Sequence, residues 1–255
     1  MFWVVLSRRR ILRGAGFFIT LLALAAMTST LGSRTLTTTA NPDQPLQRVS
    51  RSDKRVALTF DVTWGTQELP RLLSALDAQG VKATFFVGGT FLKQHSDWVR
   101  RLAVSGHDVG TLGQKVVDLS QLSEQEVTTN LMASQSALSK LLGDPVRYFR
   151  PPLGPATPEV VRAARAADLI TVTYSLDSGD QQGLTAEQIV RRVVRQARPG
   201  DIIRMTASDW SPETAKALPD LIRGLKEKGF ELVPLSELVQ QGTPADASSR
   251  GEGTP

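Results

Sequence analysis

The chain has 255 residues, 41% of them hydrophobic and 22% charged, and this composition excludes a wholly disordered or fibrous protein. It contains no cysteine, which excludes disulfides, thiolate metal sites and cysteine nucleophiles. The net charge of +5 comes from residues 1–54, which carry eight Lys/Arg and two Asp, whereas the rest of the chain is close to neutral. We therefore do not expect the globular part to bind nucleic acid through its charge.

The first 33 residues combine a basic start with a long uncharged run. Arg8–Arg10 and Arg13 precede Gly14–Ser33, whose length at ~1.5 Å per residue matches a ~30 Å hydrocarbon core. The arginines place the N-terminal end in the cytoplasm and the rest of the chain outside. We expect residues 1–33 to be a signal anchor, which makes the protein single-pass in the cell membrane. A cleaved signal peptide and a secreted protein are the alternative.

Two further segments are predicted to flank the folded domain. Residues 34–54 are rich in Thr, Pro and Asn without a hydrophobic period, which is typical of a linker. Residues 241–255 are small, polar and rich in Gly and Pro, which indicates a disordered tail. The domain is therefore predicted to span residues 55–240.

Within the domain, short β-branched runs alternate with helical patterns. The predicted strands are Val56–Phe60, Ala83–Val87, His107–Gly110, Tyr148–Arg150, Ile170–Tyr174, Asp201–Met205 and Phe230–Val233. The first predicted helix has leucines spaced i, i+3, i+4, i+7, and they are Leu69, Leu72, Leu73 and Leu76. The later predicted helices are Phe91–Val104, Ser123–Leu142, Thr157–Ala167, Thr185–Ala197, Ser211–Lys228 and Ser236–Gln240.

This order of elements predicts an α/β fold with parallel strands covered by helices. Periodicity alone leaves open whether the sheet is an open doubly wound one or a closed or distorted barrel. In both cases the functional site is expected at the C-terminal ends of the strands. Ser123 with Glu126, and Thr185 with Gln188, are predicted to cap two of the helices.

The residues that follow the predicted strands form an ordered set of motifs. They are 59–65 (TFDVTWG), 110–113 (GTLG), 150–154 (RPPLG), 175–180 (SLDSGD) and 205–209 (MTASD). Together with the runs ATFFVGG and GHDVG, this set resembles the polysaccharide deacetylase family (the NodB homology domain) over about residues 55–239. The first motif is most similar to the spore-former subgroup of that family.

The resemblance implies a distorted (β/α) barrel with about seven parallel strands. It also implies metal-dependent removal of N-acetyl groups from cell-wall or chitin-like polysaccharides. In the family, one Asp and two His hold a divalent metal that polarises the amide carbonyl and acidifies a water. A second Asp is the general base, an Arg orients it, and a His after the sixth strand is the general acid.

The resemblance places some of these groups on matching residues. It assigns the general base to Asp61 and the orienting role to Arg150. It assigns supporting catalytic positions to Asp177 and Asp180, although Gln181 stands where that motif has a Trp.

The metal and acid positions depart from the family pattern. Val62, Leu112 and Val116 stand where the three metal ligands are expected, and none of them carries a donor atom. Thr206 stands at the acid position, and a hydroxyl does not donate a proton readily near neutral pH. We therefore expect no bound metal and no other cofactor.

The two histidines do not restore these ligands, because His95 falls in a helix and His107 opens a strand. Both are expected to be structural. A hard cation, Mg²⁺ or Ca²⁺, on Asp61, Asp177 and Asp180 stays open as an alternative.

Three other residues are candidates for substrate binding, namely Trp64, Pro152 and Trp210. The ring faces of the two tryptophans fit a sugar-binding cleft, and they fit equally well a cover over the barrel mouth.

The favoured hypothesis is a membrane-anchored, extracellular family member in cell-wall glycan metabolism that has lost metal catalysis and retains glycan binding. Its partners are then peptidoglycan or a chitin-like oligosaccharide and the membrane. The main alternative is an active hydrolase of non-peptide C–N bonds, working without the usual metal and acid, whose loss removes several kcal/mol of transition-state stabilisation. A metal-free glycosidase using Asp61 and Asp177, and a structural wall-associated module, stay open. A sporulation role rests on the subgroup resemblance alone.

Overall fold

The structure is a computed structural model that describes residues 43–240 and 243–244. The predicted anchor, residues 1–33, lies outside this range, as do residues 34–42 of the predicted linker and most of the predicted tail. Within the described range, no helix combines the length and the hydropathy that crossing a membrane requires.

Parallel strands form the centre of the molecule. The strands of the described residues are β1 (Val49–Ser50), β2 (Arg55–Val62), β3 (Thr84–Val87), β4 (Asp108–Thr111), β5 (Tyr148–Phe149), β6 (Ile170–Thr171), β7 (Leu176–Asp177), β8 (Ile202–Thr206), β9 (Glu231–Leu232) and β10 (Thr243–Pro244). The main sheet has the order β6-β5-β4-β3-β2-β8-β7, all paired in parallel, and β9 joins the start of β2. This curled sheet confirms the predicted distorted (β/α) barrel.

Helices cover the outside of the sheet. They are α1 (Leu69–Ala78), α2 (Gly89–Gln94), α3 (Ser96–Val104), α4 (Glu124–Leu142), α5 (Pro158–Ala166), α6 (Ala186–Gln196), α7 (Pro212–Glu227) and α8 (Leu235–Gln240). The predicted capping boxes are confirmed, because Ser123 and Thr185 each accept a backbone N–H while the third helical side chain bonds back. Two 3₁₀ turns, Leu119–Gln121 and Asp180–Gln182, complete the set.

Successive residues of β2 face opposite sides of the sheet. Val56, Leu58, Phe60 and Val62 pack in the same apolar cluster as the leucines of α1. Ala57 instead packs with residues of other strands and of α8. Because strand side chains alternate, Thr59 and Asp61 share the barrel-interior face with Ala57. The barrel interior is therefore apolar near the start of β2 and polar near its end.

Two predicted elements are wrong in detail. The single helix predicted over Phe91–Val104 is broken at His95, whose backbone (φ −135°, ψ 43°) is not helical and whose ring packs on Phe91. The strand predicted over Ile170–Tyr174 is limited to Ile170–Thr171 (β6), and β7 (Leu176–Asp177) is a separate strand that was not predicted. Between the two strands, the backbone at 172–173 pairs with residue 46.

Residues 46–50, which we call the strap, lie across the gap between β6 and the start of β8. Leu46 pairs with Val172, and Arg48 forms a 2.5 Å ion pair with Asp201. Gly200 must be glycine here, because a Cβ on it would lie 1.7 Å from the Val49 carbonyl oxygen. The strap belongs to the predicted linker but packs on the barrel. The domain boundaries otherwise stay predictions.

Candidate functional site

Four charged side chains meet at the C-terminal ends of the central strands. Asp61 is near the end of β2, Asp177 ends β7, Arg204 is in β8 and Arg150 directly follows β5. Arg204 lies in register with Asp177 on β7 and with Thr59 on β2. The parallel order of the sheet therefore brings these groups together at the edge where sites of such barrels form.

Arg150 is a buried cation that holds Asp61. Its Nη1 donates to Asp61 Oδ1 at 2.9 Å, and its Nη2 donates to Thr59 Oγ1 at 2.8 Å and to the Thr173 carbonyl oxygen at 3.0 Å. The guanidinium also lies 4.2 Å from the centre of the Phe86 ring. Burial lowers the pKa of Arg150, and the attraction of Asp61 opposes this effect. The predicted pairing of Arg150 with Asp61 is therefore present as a contact, whereas a catalytic role for it stays a prediction.

Arg204 is a second cation at this site, and it was not predicted. Its Nε donates to Asp61 Oδ2 at 2.8 Å and its Nη1 donates to Asp177 Oδ2 at 3.1 Å. Its Nη2 donates to Gln181 Oε1 at 3.3 Å. Burial by itself lowers the pKa of Arg204, but the carboxylates of Asp61 and Asp177 outweigh it and raise that pKa. Both oxygens of Asp61 are consequently bound to guanidinium groups.

The sequence contains a signal that identifies Arg204. Thr206 was placed at the site by its motif, and a residue two positions earlier on a strand faces the same side. A cation on that buried face requires a carboxylate partner, and Asp61 and Asp177 are both in reach.

Asp180 is a second buried carboxylate, on the other side of Thr206. Its Oδ2 accepts the Thr206 backbone N–H at 2.6 Å and the Thr214 hydroxyl at 2.8 Å. The Thr206 hydroxyl donates to Asp180 Oδ1 at 3.4 Å and accepts from Gln181 Nε2 at 2.8 Å. Burial raises the pKa of Asp180, and the hydrogen bonds from Thr214 and Thr206 oppose that rise. All of its side-chain partners are neutral groups.

The residues at the metal-ligand positions do not fit a divalent cation. The side chains of Val62 and Leu112 are completely buried among apolar groups. Val116 packs so closely on Gly88 that a Cβ there would lie 2.8 Å from its Cγ2. Aliphatic side chains offer no lone pair to a metal.

The carboxylates of the site do not replace these ligands. The guanidinium of Arg204 lies between Asp61 and Asp177, where its charge repels a cation, and Asp180 accepts hydrogen bonds from neighbouring threonines. Among residues 43–240 and 243–244, no three His, Cys, Asp or Glu side chains are grouped so as to hold a metal ion. The alternative of Mg²⁺ or Ca²⁺ on Asp61, Asp177 and Asp180 therefore does not fit this donor arrangement.

Both histidines occupy structural positions. The ring of His107 is buried against Phe85, and its Nδ1 accepts the Ala83 backbone N–H at 3.2 Å. Burial, with a smaller contribution from Lys82, lowers the pKa of His107 to about 4. His95 separates α2 from α3. Neither ring has an arrangement that suits a ligand or a general acid.

Two cavities open beside the charged cluster, and Gln181 lines both. The first, which we call the tryptophan cavity, has a volume of about 640 Å³ and includes Trp64, Trp210 and Asp180 in its wall. The two indole rings lie edge to face with centres 6.3 Å apart, and they are 55% and 77% exposed. Large exposed aromatic groups of this kind mark binding surfaces.

The second, which we call the proline cavity, has a volume of about 670 Å³ and is lined by Pro152, Arg150 and Arg204. The structure thus places the three predicted substrate-binding residues in two cavities, with Trp64 and Trp210 in one and Pro152 in the other. Their roles in binding stay predictions.

Comparisons with known proteins agree with this arrangement. Residues 48–172 match the family model described as polysaccharide deacetylase. The chitooligosaccharide deacetylase of Bradyrhizobium sp. (strain ANU 289) is 30% identical over 198 residues, which cover 72% of this chain and 90% of that protein. The uncharacterised protein YlxY of Bacillus subtilis (strain 168) is 28% identical over 201 residues, or 79% of this chain. The aligned part covers only 59% of YlxY.

Solved structures extend the likeness to the fold. The crystal structure of a wild-type CE4 family pseudoenzyme from Bacillus anthracis matches with a TM-score of 0.73 and 30% identity. The match covers 77% of this chain and 69% of that one. A mutant of the same pseudoenzyme, described as having restored enzymatic activity, matches with the same TM-score.

Proposed function

Since the chain belongs to the polysaccharide deacetylase family, we propose that it is a member that binds a cell-wall glycan without removing acetyl groups from it. The observation that carries this proposal is the state of Asp61. Both of its oxygens are bound by guanidinium groups, while aliphatic residues occupy the three metal-ligand positions. A hydrolase of this family needs a metal and a free base at this place, and the residues present supply neither.

The two cavities support retention of glycan binding. Their volumes fall in the ~300–1,000 Å³ range that is usual for small-molecule sites. Trp64 and Trp210 offer apolar ring faces, and the neighbouring polar groups offer hydrogen bonds to hydroxyls. The similarity to a pseudoenzyme of the same family gives a precedent for a member that has the fold without the catalytic activity.

The alternatives are less well supported by this geometry. An active deacetylase needs a general acid, and Thr206 offers only a hydroxyl that is already bound to Gln181 and Asp180. A glycosidase needs one carboxylic acid of a pair as proton donor. Asp61 and Asp177 both accept hydrogen bonds from the one guanidinium of Arg204, so neither is available as an acid. A purely structural module leaves the exposed tryptophans without a role.

We place the protein at the outer face of the cell membrane, with residues 1–33 as its anchor and residues 34–54 as the connection to the domain. The basic start followed by twenty uncharged residues supports this location. The glycan is then peptidoglycan or a chitin-like oligosaccharide. A role in sporulation is a further prediction from the first motif.

The test uses the purified full-length protein in detergent. Acetate release from N-acetylglucosamine oligomers and from peptidoglycan is measured with added zinc and with a chelator, and retention on insoluble peptidoglycan is measured in parallel. We expect retention without acetate release, and a weaker retention for Trp210→Ala. Acetate release that a chelator abolishes would contradict the loss of catalysis, and lack of retention would favour the structural module.

A further inference from the structure

Asp180 is a buried carboxylate that no cation neutralises. The residue is only 8% exposed, and the structure shows no ion pair to it from any residue of the described range. Its side-chain oxygens accept hydrogen bonds from the neutral groups of Thr206, Thr214 and Ser178. Burial of a charge is costly unless it is paired, so this group is poised to interact with a positive partner.

The substitution at position 206 explains why the partner is missing. Thr206 stands at the acid position, and its hydroxyl lies 3.4 Å from Asp180 Oδ1. A longer basic side chain at this position, such as histidine, would extend past that hydroxyl and meet the carboxylate. Threonine leaves the Asp180 carboxylate without a cation and leaves the space beyond the hydroxyl empty. The charge of Asp177 raises the pKa of Asp180 further.

The space beside Asp180 is the tryptophan cavity, and its charge is negative. Its wall includes the carboxylates of Asp180 and Glu213, and no Lys or Arg of the described residues lines it. Glu213 is already paired with Lys216 at 2.5 Å, so Asp180 is the carboxylate that lacks a partner. The proline cavity, in contrast, contains two arginines. A cationic ligand is therefore directed to the tryptophan cavity.

We propose that the tryptophan cavity binds a glucosamine residue whose amino group is free and protonated. The ammonium donates hydrogen bonds to Asp180, and the apolar face of the sugar ring lies on Trp64 and Trp210, which also attract cations through their ring faces. This inference rests on the proposed glycan binding. It adds that the protein recognises the product of deacetylation, so that a separate N-deacetylating reaction must supply its ligand.

An N-acetylated sugar fits this cavity less well, because its amide is neutral and places a methyl group beside the buried carboxylate. The two sugars therefore form a matched pair of probes that differ at one substituent. One charge-assisted hydrogen bond at a buried carboxylate corresponds to at least about a tenfold difference in affinity.

The experiment is calorimetric titration of the full-length protein with glucosamine tetramer and with N-acetylglucosamine tetramer at mildly acidic pH, where the amines are protonated. We expect glucosamine tetramer to bind at least about tenfold more tightly. Asp180→Asn keeps an oxygen for the Thr206 and Thr214 donors, and we expect it to reduce the preference to within about twofold. Glu227→Gln removes an exposed carboxylate of α7 that lines neither cavity, and it is expected to leave the preference unchanged.

Equal affinity for the two tetramers would overturn this inference and leave the proposed function standing. Failure of both tetramers to bind would contradict the proposed function and this inference together. A preference that persists in Asp180→Asn, or that is lost equally in Glu227→Gln, would show that Asp180 is not the group that selects the amine. The comparison of the two sugars on the unaltered protein needs no variant to fold.

Discussion

The two buried carboxylates at the barrel mouth, Asp61 and Asp180, have opposite electrostatic surroundings. Asp61 contacts two guanidinium groups, whereas Asp180 contacts only neutral donors. Both lie beside a position where a group typical of the family has been replaced. On the Asp61 side a resident cation, Arg204, occupies the site. On the Asp180 side no Lys or Arg of the described residues is paired with the carboxylate, and an open cavity lies beside it. One end of the barrel therefore contains a closed ion network next to an open pocket.

The largest expected effect is at Asp61, whose carboxylate is paired with two guanidinium groups. Arg150→Met removes a guanidinium that is 2% exposed and leaves Asp61, Thr59 and the Thr173 carbonyl without their donor. Breaking a buried ion pair from one side typically costs about 3–5 kcal/mol, and we expect a loss of that size in the free energy of unfolding. Urea denaturation measures it. Arg223→Met, at an exposed pair with Asp220, is the control and is expected to cost less than about 1 kcal/mol.

The second prediction compares the two carboxylates directly. Asp61→Asn leaves two buried guanidinium groups short of an anion, and we expect it to lower the free energy of unfolding by about 3 kcal/mol. Asp180→Asn removes a buried charge that has no cation, and we expect a change within about 1 kcal/mol. Equal losses in the two variants would contradict the distinction between the two sides.

The dependence of stability on pH gives a further way to distinguish Asp180 from its asparagine variant. The folded-state pKa of Asp180 is raised above its ordinary value of 3.8, so its favourable contribution is complete below that value and is lost as pH rises through the folded pKa. Relative to the unaltered protein, Asp180→Asn should therefore gain stability as pH rises across this range. Thermal unfolding at a series of pH values measures the difference, and parallel curves for the two proteins would contradict it.

His107 is a third buried ionisable group, and it lowers the stability of the protein as pH falls, whereas Asp180 does so as pH rises. The pKa of His107 falls from 6.5 to about 4 on folding, so the folded state loses stability as pH falls from about 6.5 to about 4, where only the unfolded state takes up the proton. We expect this loss to be about 3 kcal/mol in the unaltered protein. His107→Gln, which keeps an acceptor for the Ala83 N–H, should remove most of it. Urea denaturation at the two pH limits provides the measurement.

The smallest expected effect concerns rebuilding of the metal site. Val62→Asp, Leu112→His and Val116→His together restore ligand types at the three family positions. We expect their affinity for zinc to increase about tenfold or more when Arg204→Met is added, because a cation next to Asp61 is then removed. Competition with a zinc-binding dye measures the affinity. Equal affinity with and without Arg204 would show that this side chain does not oppose the metal, and no binding in either variant would show that the backbone has departed from the family geometry.

Local chemistry made much of the fold predictable. Ser123 and Thr185 begin their helices where the sequence predicts, because a side-chain cap depends only on residues three apart. The break at His95 and the early end of the strand that begins at Ile170 were not predictable in this way. Both depend on contacts with distant parts of the chain, such as the pairing of Leu46 with Val172.

The candidate site was predictable to a similar extent. The motif residues Asp61, Arg150 and Asp177 lie together, since each lies at or just after the C-terminal end of a strand of the same parallel sheet. Arg204 was not predicted because it lies inside the apolar strand β8, whereas the motifs consist mainly of residues that follow the predicted strands. The separation of Trp64 and Pro152 into two cavities also depends on loop positions that spacing does not determine.

The strap has a consequence for any shortened form of this protein. Leu46 and Val49 are buried, and they satisfy backbone groups at Thr171, Thr173 and Gly200. A fragment that begins at residue 55 would lose these partners and present unpaired strand edges to solvent. Such edges template the association of one chain with another. Aggregation of that fragment would then reflect the missing strap and not a defect of the barrel itself.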